Sequence, residues 1–165
     1  IASALRSFNG IKRRFSYQIK SEKLVYIDDY AHHPTEINAV HQAVRELYPD
    51  KKVLAIFQPH LFSRTRDFAD NFAKSLSAFD EVFLLEIYPA RELPMEGINS
   101  KWLMDKMTNE HKRIVSKEDL IPAILAELHY QKVFLQIANL SIVILNRQYL
   151  AMPHLKKFSF KIVRF

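Results

Sequence analysis

Leu24-Val25-Tyr26-Ile27-Asp28-Asp29-Tyr30-Ala31-His32-His33-Pro34-Thr35-Glu36 is the stretch that decides the fold. Leu24 to Ile27 is a short apolar run of strand type. Pro34 suits the first position of a helix, where its missing N–H is no loss. Glu36 then sets a negative charge in the first turn, against the positive end of the helix. A strand therefore passes directly into a helix, and Asp28, Asp29, His32 and His33 occupy the turn between them. In an open α/β sheet ligands bind at the carboxyl ends of the strands, which makes these four side chains candidate site residues. They read as metal ligands, as catalytic groups or as polar residues of a turn. Adjacent histidines point in different directions, which weighs against their chelating one ion together.

Downstream, the chain alternates between strand and helix patterns. Ile37, Val40, Val44 and Leu47 mark one helix face, ending near Pro49-Asp50. Val53 to Phe57 is a continuous apolar run, as in a strand buried on both faces. Gln58 to Ser63 reads as a loop, Arg64-Thr65-Arg66-Asp67 as the opening of a helix, and Phe68, Phe72, Leu76 and Phe79 as its core stripe. Val82 to Ile87 is the next strand, followed by the loop Tyr88-Pro89-Ala90-Arg91-Glu92. Ile98, Trp102, Leu103 and Met107 suggest a helix capped by Asn99 or Ser100. Ile114-Val115 is a short strand, Leu120, Ile121, Ile124, Leu125 and Leu128 a helical stripe, and Val133 to Ile137 the last clear strand. Upstream, Arg13-Arg14-Phe15 opens an alternating run with Tyr17 and Ile19, and Ser21-Glu22-Lys23 turns it into a hairpin with the strand ending at Ile27. Residues 1–10 read as a helix end, stopped by Asn9-Gly10. The expected fold is α/β: a mostly parallel sheet with helices on both faces and an N-terminal β-hairpin.

The bulk numbers bound the function. A chain of 165 residues, 48% of them hydrophobic, can build one domain with a proper core. It has no cysteine, which removes disulfides and thiolate chemistry. No apolar run reaches membrane-spanning length, and no signal-peptide pattern opens the chain. The first residue is Ile1, so the chain is expected to be a piece of something longer. The net charge of +6 is confined to one end. Residues 128–165 carry six of the 24 basic residues (Lys132, Arg147, Lys156, Lys157, Lys161 and Arg164) and no acid, leaving 18 basic against 18 acidic residues in 1–127. A nucleic-acid partner for the main body thereby loses its chief support. Residues 138–165 fit neither helix nor strand period well. Ser141 to Leu145 reads as a strand and Phe158 to Phe165 alternates weakly, without a fold being assigned to either.

Arg64 and Arg66 can clamp a carboxylate or phosphate in a bidentate way. The plainer reading is a solvated helix start in which Asp67 answers the dipole. Two arginines at a helix N-terminus do not help the helix, which favours function. Arg13 and Arg14, flanking a strand, read simply as solubilising residues.

The stretch Asp28 to Glu36, followed by Phe57-Gln58-Pro59-His60-Leu61-Phe62-Ser63-Arg64-Thr65-Arg66-Asp67, resembles the C-terminal domain of the Mur ligases of peptidoglycan synthesis, in their alanine-adding branch. Tyr88-Pro89-Ala90-Arg91-Glu92 and Phe8-Asn9-Gly10-Ile11-Lys12-Arg13-Arg14-Phe15 are similar to it as well, so the resemblance covers about residues 1–137. It implies a Rossmann-like domain of a bacterial, cytoplasmic, ATP-dependent ligase. In that family ATP phosphorylates the lactyl carboxylate of UDP-N-acetylmuramate, and the amine of L-alanine attacks the acyl phosphate. ATP and Mg2+ are held mainly by a central domain with a P-loop. Here the only glycines are Gly10 and Gly97 and no Gly-Lys-Ser/Thr occurs, so these residues by themselves are expected to be inactive.

By resemblance, Arg14 reaches ATP phosphate and Asp28 or Asp29 the ribose hydroxyls. His32, His33 and Arg64 are the implied catalytic residues near the amino acid and the acyl phosphate, with Arg66 joining them in substrate binding; no metal ligand is implied. The implied organisation is a central-domain helix end and linker over 1–12, the C-terminal domain over 13–137, and an atypical basic tail over 138–165. Family members follow the last strand with a Gly-Ala-Gly type of turn, whereas Ile137 here runs into Ala138-Asn139-Leu140. The tail is therefore expected to be poorly ordered or engaged in a non-family contact. The related murein tripeptide-recycling ligases share the Asp-Asp-x-Ala-His-His-Pro turn but not the second motif. Two further readings stand beside these: a stand-alone nucleotide- or anion-binding module, and a metal-dependent hydrolase using Asp28, Asp29, His32 and His33.

Overall fold

The antiparallel pair β1 (Ser16–Lys20) and β2 (Leu24–Asp29) opens the described chain and is the expected hairpin. The structure, a computed structural model, describes residues 10–22, 24–127 and 132–137. The readings made on residues 1–9 and 138–165 lie outside the described residues.

From β2 the chain enters α1 (Pro34–Leu47) and then alternates through β3 (Lys52–Phe57), α2 (Phe62–Asp67), α3 (Ala69–Leu76), β4 (Glu81–Leu84), α4 (Ser100–Asp105), β5 (Lys112–Ile114), α5 (Leu120–Glu127) and β6 (Lys132–Ile137). The strands form one six-stranded sheet in the order β1-β2-β6-β3-β4-β5. Every pairing except β1 with β2 is parallel. The last strand is thus inserted between β2 and β3. Its register aligns Val133 with Val25 and Val53, and Leu135 with Ile27 and Ala55.

Two apolar cores clad the sheet, because side chains alternate between its faces. Val25, Ile27, Val53, Ala55, Phe57, Val133, Leu135 and Ile137 meet Ile37 and Val44 of α1, Phe72 and Leu76 of α3, and Leu103 of α4. Tyr26, Leu54, Ile56, Phe83 and Phe134 meet Leu120 and Ile124 of α5 on the opposite face. Helices therefore cover both faces, as expected. Buried hydroxyls are spent on backbone carbonyls outside the strands: Ser100 Oγ donates to Leu85 O at 2.7 Å, and Thr65 Oγ1 to Leu61 O at 2.7 Å.

One expected element differs. The helix read as opening at Arg64 begins at Phe62 and breaks at Phe68, whose backbone (φ −114°, ψ 19°) separates α2 from α3. Arg64 and Arg66 consequently lie in the last turn of α2, where cations suit the dipole. The argument that these arginines oppose their own helix therefore falls away. Asp67 ends α2 instead of answering its N-terminus. The apolar stripe begins only at Phe68, so periodicity could not show the separate turn in front of it. β4 is likewise shorter than read. Leu85 N–H still donates to Phe57 O at 2.9 Å, and beyond it the chain departs from strand geometry while Leu85 and Ile87 stay buried.

Candidate functional site

The carboxyl ends of β2, β3 and β4 open onto three loops, and each loop is set by local chemistry. After β2, His33 is the N-cap of α1 and its Nδ1 accepts from Thr35 N–H at 3.3 Å. The Glu36 carboxylate accepts from the N–H groups of His32 (2.8 Å) and His33 (3.2 Å), completing a capping box. Partial burial works to raise the Glu36 carboxyl. The donors of His32 and His33, with the His32 and Arg14 charges, outweigh it and hold the carboxyl below the ordinary range. Both imidazoles are thereby carried on a rigid helix start. His32 Nδ1 lies 3.0 Å from Tyr30 O, and the His33 ring meets Phe68 edge-on at 4.7 Å. The two rings diverge, as adjacent residues must.

Asp28 and Asp29 also diverge, because neighbours in a strand face opposite sides of the sheet. Asp29 is consumed by the backbone: Oδ2 accepts from Phe15 N–H and Oδ1 from Ala31 N–H, each at 2.7 Å. It ties the start of β1 to the turn after β2. Asp28 lies across from Gln136 of β6, whose Nε2 donates to its Oδ1 at 3.4 Å, and Arg13 Nε is 3.6 Å from its Oδ2. Burial pushes the Asp28 carboxyl up, and the neighbouring Asp29 adds to this. Arg13 and Gln136 pull the other way without cancelling it. The Arg13 guanidinium also covers the Tyr30 ring at 4.8 Å. Arg14 is half exposed, with Nη1 3.8 Å from Glu36 Oε1.

The loops after β3 and β4 are zipped together. Tyr88 N–H donates to Pro59 O at 2.8 Å, Leu61 N–H to Tyr88 O at 2.9 Å, and Gln58 Nε2 to Glu86 O at 2.9 Å. His60 stacks on Tyr88 with centroids 5.5 Å apart. Leu61, the residue before α2, has φ +73° and offers that helix no side-chain cap. Glu92 supplies it from the other loop, accepting from Ser63 N–H at 2.9 Å and from the Ser63 hydroxyl. Those two donors hold the Glu92 carboxyl below its ordinary range. Non-glycine residues with positive φ occur at Arg13, Phe15, Leu61 and Ala90, all in the segments that border this edge. Such backbone strain gathers where a site must be shaped.

Arg64 and Arg66 separate. Arg66 Nη2 pairs with Asp67 at 2.7 Å and its Nη1 lies 3.8 Å from Met95 Sδ. Arg64 makes no ion pair among the described residues and sits near His60. Burial first, then the Arg64 and His32 charges, hold His60 below its ordinary pKa against an opposing pull from Glu92. His60 and Ser63 belong to the second motif and Glu92 to the Tyr88–Glu92 loop, and the sequence singles out none of the three as a site residue. The contact of Ser63 with Glu92 links two loops 29 residues apart. No spacing rule could have found that contact, which is purely tertiary.

The four residues of the hydrolase reading do not converge. Asp28 and Asp29 take opposite faces, Asp29 has both oxygens engaged, and the His32 and His33 rings point apart. Among the described residues no three potential metal ligands gather. None of the described helices is long and apolar enough to cross a membrane.

Comparison with known proteins places this edge in a family. The family model described as Mur ligase, glutamate ligase domain, matches residues 13–139. The chain belongs to the Mur ligase family, through its C-terminal domain. It is similar to UDP-N-acetylmuramate–L-alanine ligase of Flavobacterium johnsoniae, with 80% identity over 126 residues, which is 76% of this chain and 28% of that protein. Among solved structures, the UDP-N-acetylmuramate–alanine ligase of Thermotoga maritima matches with a TM-score of 0.63 and 30% identity, over 82% of this chain and 28% of that one. A murein peptide ligase from Psychrobacter arcticus shares the fold, with a TM-score of 0.62 and 24% identity over 82% of this chain and 28% of that one. The chain thus spans little more than a quarter of the length of the relatives it matches.

Proposed function

We propose that this chain is the amino-acid-side domain of an ATP-dependent, ADP-forming ligase that joins L-alanine to UDP-N-acetylmuramate in the bacterial cytoplasm. Its proposed limits are 13–137, with a linker over 1–12 and an atypical tail over 138–165. The observation that carries the reading is Arg64: a guanidinium without an ion-pair partner among the described residues, at the carboxyl edge of the sheet near His60. Its planar fork suits the carboxylate of an amino acid. A fixed cation there also stabilises the charge that grows on an acyl phosphate as an amine attacks it. His32 and His33, held by the Glu36 capping box, are the other proposed catalytic residues, and Arg66 the outer substrate contact.

On the nucleotide side, a half-exposed Arg14 fits a phosphate. Asp28 keeps lone pairs beyond those given to Gln136 and Arg13, which fits a ribose hydroxyl. Asp29, whose two oxygens each accept one backbone N–H, keeps lone pairs as well, and Asp28 or Asp29 is the proposed ribose contact. ATP supplies the phosphoryl group that activates the lactyl carboxylate. The Mg2+ that accompanies ATP is proposed to be held, with the nucleotide phosphates, mainly by a central domain that carries the P-loop. The similarity to alanine ligases at up to 80% identity favours alanine over the murein tripeptide as acceptor.

Two assays test this. The full-length protein, given ATP and UDP-N-acetylmuramate, should release phosphate with L-alanine and not with a murein tripeptide. The 165-residue chain alone should release none, and phosphate release by it that depends on ATP and alanine would overturn the division of labour.

A further inference from the structure

Helix α2 is only six residues long, too short to hold its own shape. Its entry is strained as well: Leu61 has φ +73°, a backbone that a leucine keeps only where its surroundings over-determine it. Two sets of contacts do so. From within the helix, the buried Thr65 donates its N–H and its hydroxyl to Leu61 O, at 3.1 Å and 2.7 Å. From outside, the loop after β4 takes hold of the same turn. Leu61 N–H donates to Tyr88 O at 2.9 Å. Glu92 accepts from the N–H of Ser63 at 2.9 Å and from its hydroxyl, with the Phe62 N–H facing it as well. Glu92 thus grips the residue immediately before Arg64. A guanidinium with no ion pair among the described residues takes its place from the backbone that carries it, and Glu92 holds that backbone.

We propose that Glu92 is a positioning residue: by clamping α2 through Ser63 it sets where the Arg64 guanidinium meets the carboxylate of the amino acid. The inference rests on the amino-acid-side reading of Arg64 given above. The loop after β4 thus contributes to the site through the helix it holds. The grip depends on reach and on two contacts made at once. An aspartate is one methylene shorter and cannot span the same gap. A glutamine can, its Oε1 accepting from the Ser63 N–H and its Nε2 donating to the Ser63 hydroxyl. The charged and titratable groups that face Glu92 are Arg66 of α2 and His60 of the loop ahead of it, and Arg66 is itself paired with Asp67.

The test uses the full-length ligase and measures KM for L-alanine and for ATP, with melting temperatures alongside. Glu92→Ala should raise KM for L-alanine about tenfold, the scale of a small misplacement of a binding group, and leave KM for ATP within about twofold. A cap that served stability alone would lower the melting temperature and the active fraction without moving either KM. Glu92→Gln should keep KM for L-alanine within about twofold of wild type, and Glu92→Asp should not. Ser63→Ala, which removes the hydroxyl and keeps the N–H, should fall between. Action through Arg64 also predicts non-additivity. Glu92→Ala placed on Arg64→Ala should change KM for L-alanine by less than about a further twofold.

Should Glu92→Ala unfold, Glu92→Asp and Ser63→Ala carry the test. An unchanged KM for L-alanine in the Glu92 variants, with a raised one in Arg64→Ala, would overturn the positioning role and leave the reading of Arg64 intact. Fully additive effects in the double variant, or a Glu92→Gln enzyme as poor as Glu92→Ala, would overturn the positioning role as well. An unchanged KM for L-alanine in Arg64→Ala would overturn both.

Discussion

At the level of single residues, chemistry is decided by which lone pairs and donors remain after the fold has taken its share. Asp28 and Asp29 are adjacent and chemically identical, yet Asp29 spends its oxygens on the backbone N–H groups of Phe15 and Ala31 while Asp28 turns to the side chains of Gln136 and Arg13. Arg64 and Arg66 are two apart, yet Arg66 is neutralised by Asp67 and Arg64 makes no ion pair among the described residues. Arg64→Lys in the full-length ligase is therefore expected to lower turnover by about tenfold, or roughly 1.4 kcal/mol of barrier. An ammonium cannot reproduce the fork. The same change at Arg66 should do less. Steady-state kinetics of the two variants checks this, and unchanged kinetics in Arg64→Lys would return that residue to the role of a solvated helix cation. Asp28, Asp29, Arg64 and Arg66 were all legible in the sequence. What was not legible was which partners each one takes, since that depends on Phe15, Ala31 and Gln136, brought in from other segments.

At the level of elements, α1 is the best specified. His33, Pro34 and Glu36 stand at N-cap, N1 and N3, and the expected helix start is where these residues put it. Glu36 accepts from two N–H groups and its carboxyl is held low by them. A carboxyl with a lowered pKa in the folded state adds stability that is complete above the ordinary glutamate value near ~4.3, and it is lost as pH falls through the lowered value. Glu36→Ala should therefore cost about 1 kcal/mol at pH 7, and the difference from wild type should shrink below about pH 4. Urea midpoints at pH 7 and in acid check both statements; a difference that persists in acid would assign the effect to packing. By contrast α2 was not legible. Its N-cap, Leu61, carries no capping side chain, and the helix is finished by Glu92 from a different loop. Local signals cannot report a cap delivered from 29 residues away.

At the level of the whole molecule, the sheet is completed by its last strand. Leu135 is fully buried between Ile27 and Ala55. Leu135→Ala should destabilise the domain by about 2–5 kcal/mol, a large share of the roughly 5–15 kcal/mol such domains possess. A chain ending at residue 131 should show no cooperative unfolding transition, because β2 and β3 would face each other across an unfilled gap. Denaturant unfolding followed by circular dichroism measures both, and cooperative folding without β6 would contradict the strand order. The sequence alone determined the strand–helix alternation, the hairpin, the apolar cores and the edge at which the motifs gather, because periodicity, caps and turn residues act over a few neighbours. Tertiary structure alone decided that β6 lies between β2 and β3, that Gln136 comes to stand against Asp28, and that two loops share Glu92. The first two outcomes depend on pairing β6 with strands roughly 80 to 108 residues earlier, and a parallel pairing leaves no local mark in the residues that make it. The third rests on a loop contact 29 residues apart.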